Sequence, residues 1–142
     1  MKKITYVNLG FKKRSKIGLI KIFKKILDSG EFVGGKEILK FEKNISKLCK
    51  TNYAVALNSG TDALTLALHL LGVNKGDEVI TTPNSFIAST AAIVHLGAIP
   101  VFVDVLNDQN IDPLKIERVI TKKTKAIMPV HLCGKMSQMD KI

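Results

Sequence analysis

Apolar residues recur with a helical period in the first third of the chain. The first segment covers residues 15–28 and is followed by Ser29-Gly30, a helix stop signal. Its apolar stripe consists of Ile17, Ile20, Phe23 and Leu27. The second segment covers residues 36–50, and its stripe consists of Ile38, Phe41, Ile45 and Leu48. We predict two amphipathic helices with buried stripes, joined by a flexible loop at residues 32–35.

From residue 53 onward, short apolar runs alternate with Ala- and Leu-rich segments. The predicted strands are residues 53–57, 78–82, 100–105 and 125–130. The predicted helices are residues 61–71, 86–96 and 112–120, the last of which opens with Asp112-Pro113. Strands and helices that alternate with short connections predict an α/β layer with a largely parallel sheet. The strands are nearly continuous apolar runs, as expected when both faces of a sheet are covered.

The sequence Asn58-Ser59-Gly60-Thr61 breaks the first predicted strand and opens a helix. Such a junction directs free backbone N–H groups and the positive end of a helix dipole at one spot, which favours a phosphate or another small anion. The GxxxxGK[ST] and GxGxxG patterns are absent, so the prediction is a smaller, single-phosphate site. A plain helix cap made by Ser59 or Thr61 explains the same residues, and local spacing alone favours that cap.

A second polar segment, residues 82–90, follows the predicted strand 78–82. In a parallel sheet this loop lies at the same edge as the Ser59-Gly60-Thr61 turn, because both follow carboxyl ends of strands. Phe86 would then lie flat against an aromatic ligand, or it would be a core residue at the start of a helix. The local sequence supports these two interpretations of Phe86 about equally.

Composition and charge limit the function classes. Of the 142 residues, 46% are hydrophobic and 24% are charged, which is typical of a globular protein. Lys and Arg total 22 against 12 acidic residues, a net charge of +10 concentrated in the first 50 residues and near residues 122–125. A nucleic-acid surface is one interpretation. The lysines alternate with apolar residues at helical spacing and no nucleic-acid-binding motif accompanies them, so we favour a solvated helix face. A phosphorylated or acidic small substrate also fits the charge.

Targeting and metal signals are weak. Residues 1–6 have a charged start without an apolar core, which argues against a signal peptide, and no apolar run reaches the roughly 18 to 20 residues of a membrane span. Cys49 and Cys133 are far apart and form no metal-ligand pattern, so we expect reduced thiols and no metal site. These features predict a cytoplasmic protein.

The order of motifs closely resembles the DegT/DnrJ/EryC1/StrS family, which are pyridoxal-phosphate-dependent sugar aminotransferases of the aspartate-aminotransferase fold. The matching segments are Gly34-Gly35, Phe41-Glu42 and residues 54–57, 59–64, 76–80, 83–88, 97–105, 124–127 and 129–134. The resemblance implies a type I transferase large domain, a three-layer α/β/α structure with a mostly parallel sheet that is incomplete here. It implies a helical segment at residues 1–50 and the first part of the large domain, truncated, at residues 51–142.

The resemblance also implies roles for individual residues. Gly60 and Thr61, with Ser59 close by, would hold the phosphate of pyridoxal 5'-phosphate. Phe86 stands where the family places an aromatic ring stacked on the pyridine. Residues 32–35 would approach the active site.

Three further residues near predicted strand ends receive no catalytic role. Asp104 is interpreted as structural, because the family's partner of the pyridine nitrogen lies further along. His131 is either an acid/base group or a hydrogen-bonded structural residue, and the second interpretation is favoured. Cys133 stands where many relatives carry Tyr and is assigned no chemistry.

A family enzyme of this type would move an amino group, from glutamate, to a keto carbon of a nucleotide-linked sugar, in polysaccharide or lipopolysaccharide biosynthesis. It would act as a homodimer. Relatives continue beyond the PVHLxG element to the Schiff-base lysine, and Lys135 and Lys141 come too early to match it. We therefore assign no catalytic residue and expect this chain alone to be inactive. The alternatives are a truncated, non-catalytic chain that binds a ligand or partner, and a family dehydratase with His in place of that lysine.

Overall fold

The computed structural model describes Gly10 and residues 12–142. Residues 1–6, from which the absence of a signal peptide was predicted, lie outside the described residues. The chain divides into two compact units, with the boundary between Ala56 and Leu57.

Two helices make up most of the first unit. Helix α1 spans Lys13–Ser29 and helix α2 spans Lys36–Cys49, so both predicted helices are confirmed. Gly30 ends α1 in the left-handed region at φ 68°, where its N–H bonds to the carbonyls of Ile26 and Leu27. Glycine adopts this conformation without the steric cost that a Cβ atom adds, which explains why the helix stops there.

The apolar stripes of both helices are exposed except at the half-buried Ile45, and the prediction that they are buried is wrong. Phe23 on α1 and Phe41 on α2 are 63% and 56% exposed, and no described side chain of α2 is buried. Burial requires a facing apolar surface, and two helices in about 50 residues are too small to build a core of their own. Helical periodicity located the apolar faces but did not show what covers them.

Residues 53–57 do not form a strand, which corrects another prediction. A strand needs a hydrogen-bonding neighbour, and the described residues offer this segment no ladder partner. Its backbone bonds to side chains instead. The N–H of Ala56 donates to Glu42 Oε1 at 2.8 Å, and Thr51 Oγ1 donates to the carbonyl of Tyr53 at 2.9 Å.

The second unit contains a three-stranded parallel sheet, as predicted. Strand β1 spans Glu78–Thr81, β2 spans Ile99–Phe102 and β3 spans Thr124–Ile127, in the spatial order β2-β1-β3. In this register, Ile80 pairs with both Val101 and Ile127. Strands β2 and β3 each end three residues earlier than predicted, because the following residues leave the ladder to form loops at the carboxyl edge.

Each face of the sheet has its own apolar cluster. Helix α3, Gly60–Leu70, and helix α4, Ala88–His95, lie on one face, where Leu68 and Ile93 pack with Val79. On the opposite face Ile80 packs with Ile111 and other buried residues. Val79 and Ile80 belong to different clusters because successive side chains of a strand point to opposite faces. The two clusters hold the sheet and fix the positions of the loops at its edges.

The predicted helix at residues 112–120 is wrong in type. Two 3₁₀ turns, Pro113–Lys115 and Glu117–Val119, occupy the segment. Asp112 caps the first turn as predicted, because its Oδ1 accepts from the N–H of Leu114 at 3.0 Å. A segment of this length is too short to offset the cost of nucleating an α-helix, so it follows the packing of Ile116 against the sheet instead.

Candidate functional site

Ser59 caps the start of α3, which is the interpretation that local spacing favoured. Ser59 Oγ accepts from the N–H of Asp62 at 3.1 Å and donates to Asp62 Oδ2 at 2.9 Å. This reciprocal pair satisfies one of the free N–H groups at the helix start. The Ser59 hydroxyl is therefore committed to Asp62, and it must rotate away before it can bond to a ligand.

The N–H groups of Gly60 and Thr61 remain available at the same helix end. Neither has a hydrogen-bond partner within the described part of the chain. Gly60 is exposed, and a Cβ atom built on it meets no heavy atom within 4 Å. Two free donors, open space and the positive end of the α3 dipole fit a phosphate group.

Helix α3 presents this end at the carboxyl edge of the sheet. After Leu70 the chain passes through Val73 and a turn into the amino end of β1, so α3 runs antiparallel to the strands. Leu64, in its second turn, packs in the same cluster as Met128, one residue beyond the carboxyl end of β3. This is the edge at which open α/β sheets bind ligands.

Hydrogen bonds tie together the loops that follow the three strands. Thr81 Oγ1 donates to the carbonyl of Met128 at 2.8 Å, which joins the ends of β1 and β3. Asn84 Nδ2 donates to Gln109 Oε1 at 2.9 Å, which joins the loops after β1 and β2. The edge is therefore a connected polar surface.

Asn110 and Ser137 are two buried residues of this edge that sequence reasoning missed. Asn110 is 1% exposed; its Oδ1 accepts from the N–H of Leu132 at 3.1 Å, and its Nδ2 lies 3.2 Å from the carbonyl of Lys135. Ser137 is 3% exposed and donates from Oγ to the carbonyl of Val130 at 3.1 Å. Their partners are distant or irregular in sequence, so local patterns carry no signal for them.

Phe86 lies in the loop between β1 and α4, and its side chain is 76% exposed. The core interpretation of this residue is therefore wrong for the described chain. Its backbone carbonyl accepts from the N–H of Ser89 at 3.1 Å, which fixes the residue just before α4. An exposed aromatic ring at the ligand edge is available for stacking.

Asp104 follows β2 and forms local contacts. Its Oδ1 accepts from the N–H of Val105 at 2.8 Å, and its Oδ2 lies 3.1 Å from Lys115 Nζ. The Val105 N–H and then the Lys115 ammonium hold the pKa of this carboxyl below its ordinary value of 3.8. These contacts agree with the structural interpretation of Asp104.

His131 is likewise held by local hydrogen bonds. Its Nδ1 accepts from the N–H of Ser137 at 3.1 Å, and this agrees with the favoured structural interpretation. Cys133 is exposed and adopts φ 52°, within a tight turn that continues into Gly134 at φ 82°.

Residues 32–35 belong to the first unit, where Phe32, Gly34 and Gly35 border a cavity of about 430 Å³. Lys25 Nζ and Glu37 Oε1 form an ion pair of 2.9 Å beside it. Their hydrogen bond and charge attraction raise the pKa of Lys25 and lower that of Glu37. Ser59, Gly60, Thr61 and Phe86 all belong to the second unit.

No group of three or more His, Cys, Asp or Glu side chains in the described residues is placed to hold a metal ion. None of the helices in the same residues combines the length and apolar character that a membrane span requires.

Two curated relatives are similar to most of this chain. The dTDP-3-amino-3,4,6-trideoxy-alpha-D-glucose transaminase of Streptomyces venezuelae is 45% identical over 117 residues, or 82% of this chain and 31% of that protein. The 3-oxo-glucose-6-phosphate:glutamate aminotransferase of Bacillus subtilis strain 168 is 46% identical over 119 residues, or 82% of this chain and 27% of that protein. The chain thus spans about a third or less of the length of these relatives.

The comparison with solved structures confirms the predicted fold class. The crystal structure of NtdA from Bacillus subtilis with bound cofactor PMP matches with a TM-score of 0.91 at 38% identity, over 99% of this chain and 34% of that one. The α/β unit with its parallel sheet is thus part of an aminotransferase large domain. The sequence profile of the DegT/DnrJ/EryC1/StrS aminotransferase family matches residues 16–142. This chain belongs to that family.

Proposed function

We propose that this chain forms the phosphate- and ring-binding part of the cofactor site of a pyridoxal-phosphate-dependent sugar aminotransferase. The observation that carries the proposal is the pair of N–H groups on Gly60 and Thr61, which no described residue bonds and which lie at the positive end of α3 beside open space. The family membership of residues 16–142 supports it, as does the PMP bound to NtdA.

Different residues of the second unit bind the phosphate and the pyridine ring of the cofactor. Gly60 and Thr61 hold the phosphate with backbone N–H groups, and Ser59 adds its hydroxyl once it turns from Asp62. Phe86 places its exposed ring against the pyridine. When bound, pyridoxal 5'-phosphate supplies an electron sink and carries the amino group between donor and acceptor.

The proposed substrates are glutamate as amino donor and a nucleotide-linked keto sugar as acceptor. The Streptomyces relative is named for a dTDP-linked amino sugar, and the Bacillus relative for an oxo sugar phosphate and glutamate. Both sugars carry phosphate, and the net charge of +10 suits a phosphorylated ligand. We propose that the full-length enzyme acts in the cytoplasm as a homodimer.

The proposed organisation places a helical segment at residues 1–50 and the first part of the large domain at residues 51–142. We propose that these 142 residues bind the cofactor without catalysing transamination. Lys135, one of the two lysines near the PVHLCG element, forms an ion pair of 3.1 Å with Asp108 Oδ2.

The test measures the affinity of the chain for pyridoxamine 5'-phosphate by calorimetry in two glycine variants. Gly60→Val fills the space beside the phosphate donors, and we expect affinity to fall about tenfold or more, because hydrogen bonds to charged groups contribute about 1.5–3 kcal/mol each. Gly18→Val is the matched control, since a Cβ atom on Gly18 also meets nothing within 4 Å. Equal affinity in the two variants would refute the proposed phosphate site.

A further inference from the structure

The loop at residues 130–137, here called the His131 loop, fixes the protonation of one imidazole nitrogen. His131 Nδ1 lies 3.1 Å from the backbone nitrogen of Ser137, which can act only as a donor. A ring nitrogen that accepts a hydrogen bond carries no proton. The neutral His131 ring therefore holds its proton on Nε2.

Two buried side chains hold this loop in place. Ser137 Oγ donates to the carbonyl of Val130 at 3.1 Å, which closes the loop across the histidine. Asn110 Oδ1 accepts from the N–H of Leu132, and its Nδ2 donates to the carbonyls of Lys135 and Met136. Both the oxygen and the nitrogen of the amide are therefore bonded to the loop. Because both side chains are almost fully buried, breaking these bonds would leave polar groups without water.

His131 is exposed, and its Nε2 has no hydrogen-bond partner among the residues that the structure describes. The loop begins just beyond β3, whose end is joined to the end of β1 by the bond between Thr81 and Met128. His131 therefore lies at the same edge of the sheet as the segment that carries Phe86.

We propose that His131 donates its Nε2–H to an oxygen of the ligand that binds at this edge, with Ser137 and Asn110 as positioning residues that fix its tautomer. The inference rests on the proposed function, since it takes the ligand to be a phosphorylated pyridine cofactor. The ligand oxygen belongs either to the phosphate or to the hydroxyl group on the pyridine ring. A purely structural His131 would keep its Nδ1 bond to Ser137 but would not respond to ligand through Nε2.

The test is nitrogen-15 NMR of the unmodified chain labelled at histidine and at the backbone. In the free chain we expect His131 Nδ1 to give an unprotonated signal and Nε2 a protonated one. Adding pyridoxamine 5'-phosphate should change the chemical shift of Nε2 and leave Nδ1 unprotonated. Inorganic phosphate alone shifts Nε2 if the acceptor is the phosphate, and only the cofactor shifts it if the acceptor is on the ring.

The outcomes separate this inference from the proposed function. If the amides of Gly60 and Thr61 shift while His131 Nε2 does not, cofactor binding stands and the role of His131 is overturned. If none of these signals moves, the proposed function fails and this inference fails with it. A proton on Nδ1 in the free chain would also overturn the inference.

Two substitutions of His131 provide an independent measurement. His131→Gln keeps an N–H donor near the position of Nε2, whereas His131→Asn keeps an amide near the position of Nδ1 and cannot reach the ligand. We expect affinity for pyridoxamine 5'-phosphate to fall about threefold to tenfold in His131→Asn, the effect of one lost hydrogen bond, and less in His131→Gln. Equal losses in both variants would indicate a structural role alone.

Discussion

Thr81 Oγ1 donates a hydrogen bond of 2.8 Å to the carbonyl of Met128, and this bond joins the carboxyl ends of β1 and β3. Thr81 is completely buried, so water cannot replace the bond when it is lost. The loops that carry Phe86 and His131 both begin at this junction. The geometry of the candidate site therefore depends on a buried contact between the ends of two strands.

Replacing Thr81 by Val should destabilise the chain by about 1–3 kcal/mol, because the carbonyl of Met128 is left without its side-chain donor. Urea unfolding followed by circular dichroism measures the effect. Thr65→Val is the control. Its hydroxyl donates to Thr61 within α3, and the half-buried residue lets water compensate. A smaller loss at Thr81 than at Thr65 would contradict the role of the buried bond.

Phe86→Ala should separate ligand binding from stability. Because the ring is 76% exposed, we expect the free energy of unfolding to change by less than about 0.5 kcal/mol. Affinity for pyridoxamine 5'-phosphate should fall about twofold to tenfold, as the loss of ring stacking predicts. Ile80→Ala is the contrasting variant, since Ile80 is fully buried and its truncation should cost about 2–5 kcal/mol. A large stability loss in Phe86→Ala would restore the core interpretation.

Asn110→Ala should loosen the His131 loop. The change removes the donor and acceptor that hold Leu132 and Lys135, and we expect a loss of about 1–3 kcal/mol in stability. Hydrogen exchange at the Leu132 amide should become faster in the variant. Asn84→Ala, which removes an exposed amide bond to Gln109, serves as the control and should leave that amide protected. Unchanged exchange at Leu132 in Asn110→Ala would show that the loop does not depend on the hydrogen bonds of Asn110.

Asp108 should make stability depend on pH in the acid range. The N–H of Asn110 and then the Lys135 ammonium lower the pKa of its carboxyl in the folded chain below the ordinary 3.8. The stabilisation is therefore fully present above 3.8 and disappears as the pH falls through the lower, folded value. Urea unfolding measures the free energy of unfolding between neutral pH and pH below 3.8. This free energy should decrease less on acidification in Asp108→Asn than in the unmodified chain. Identical slopes would exclude this carboxyl as a contributor.

The sequence predicted features that depend on local period and on strand order. Both amphipathic helices were found from spacing because a helix closes its hydrogen bonds within itself. The parallel sheet followed from alternation of strands and helices. The cap at Ser59 was also foreseen, since Ser59 and Asp62 are only three residues apart and bond to each other.

Features that depend on partners distant in sequence were missed. Residues 53–57 have strand composition, but the described chain gives them no neighbour to pair with. Likewise, the described residues leave most of the apolar stripe that contains Phe41 exposed. Asn110 and Ser137 resemble ordinary loop residues, and only the folded structure shows that Asn110 reaches Leu132 across 22 positions.

The central claim is that α3 binds the cofactor by its phosphate. The most direct test compares pyridoxamine 5'-phosphate with pyridoxamine, which lacks only that group, by calorimetry on the unmodified chain. We predict that the phosphorylated compound binds at least about tenfold more tightly. The reason is that the N–H groups of Gly60 and Thr61 have no partner among the described residues and can bind the phosphate. Equal affinities for the two compounds would contradict the account.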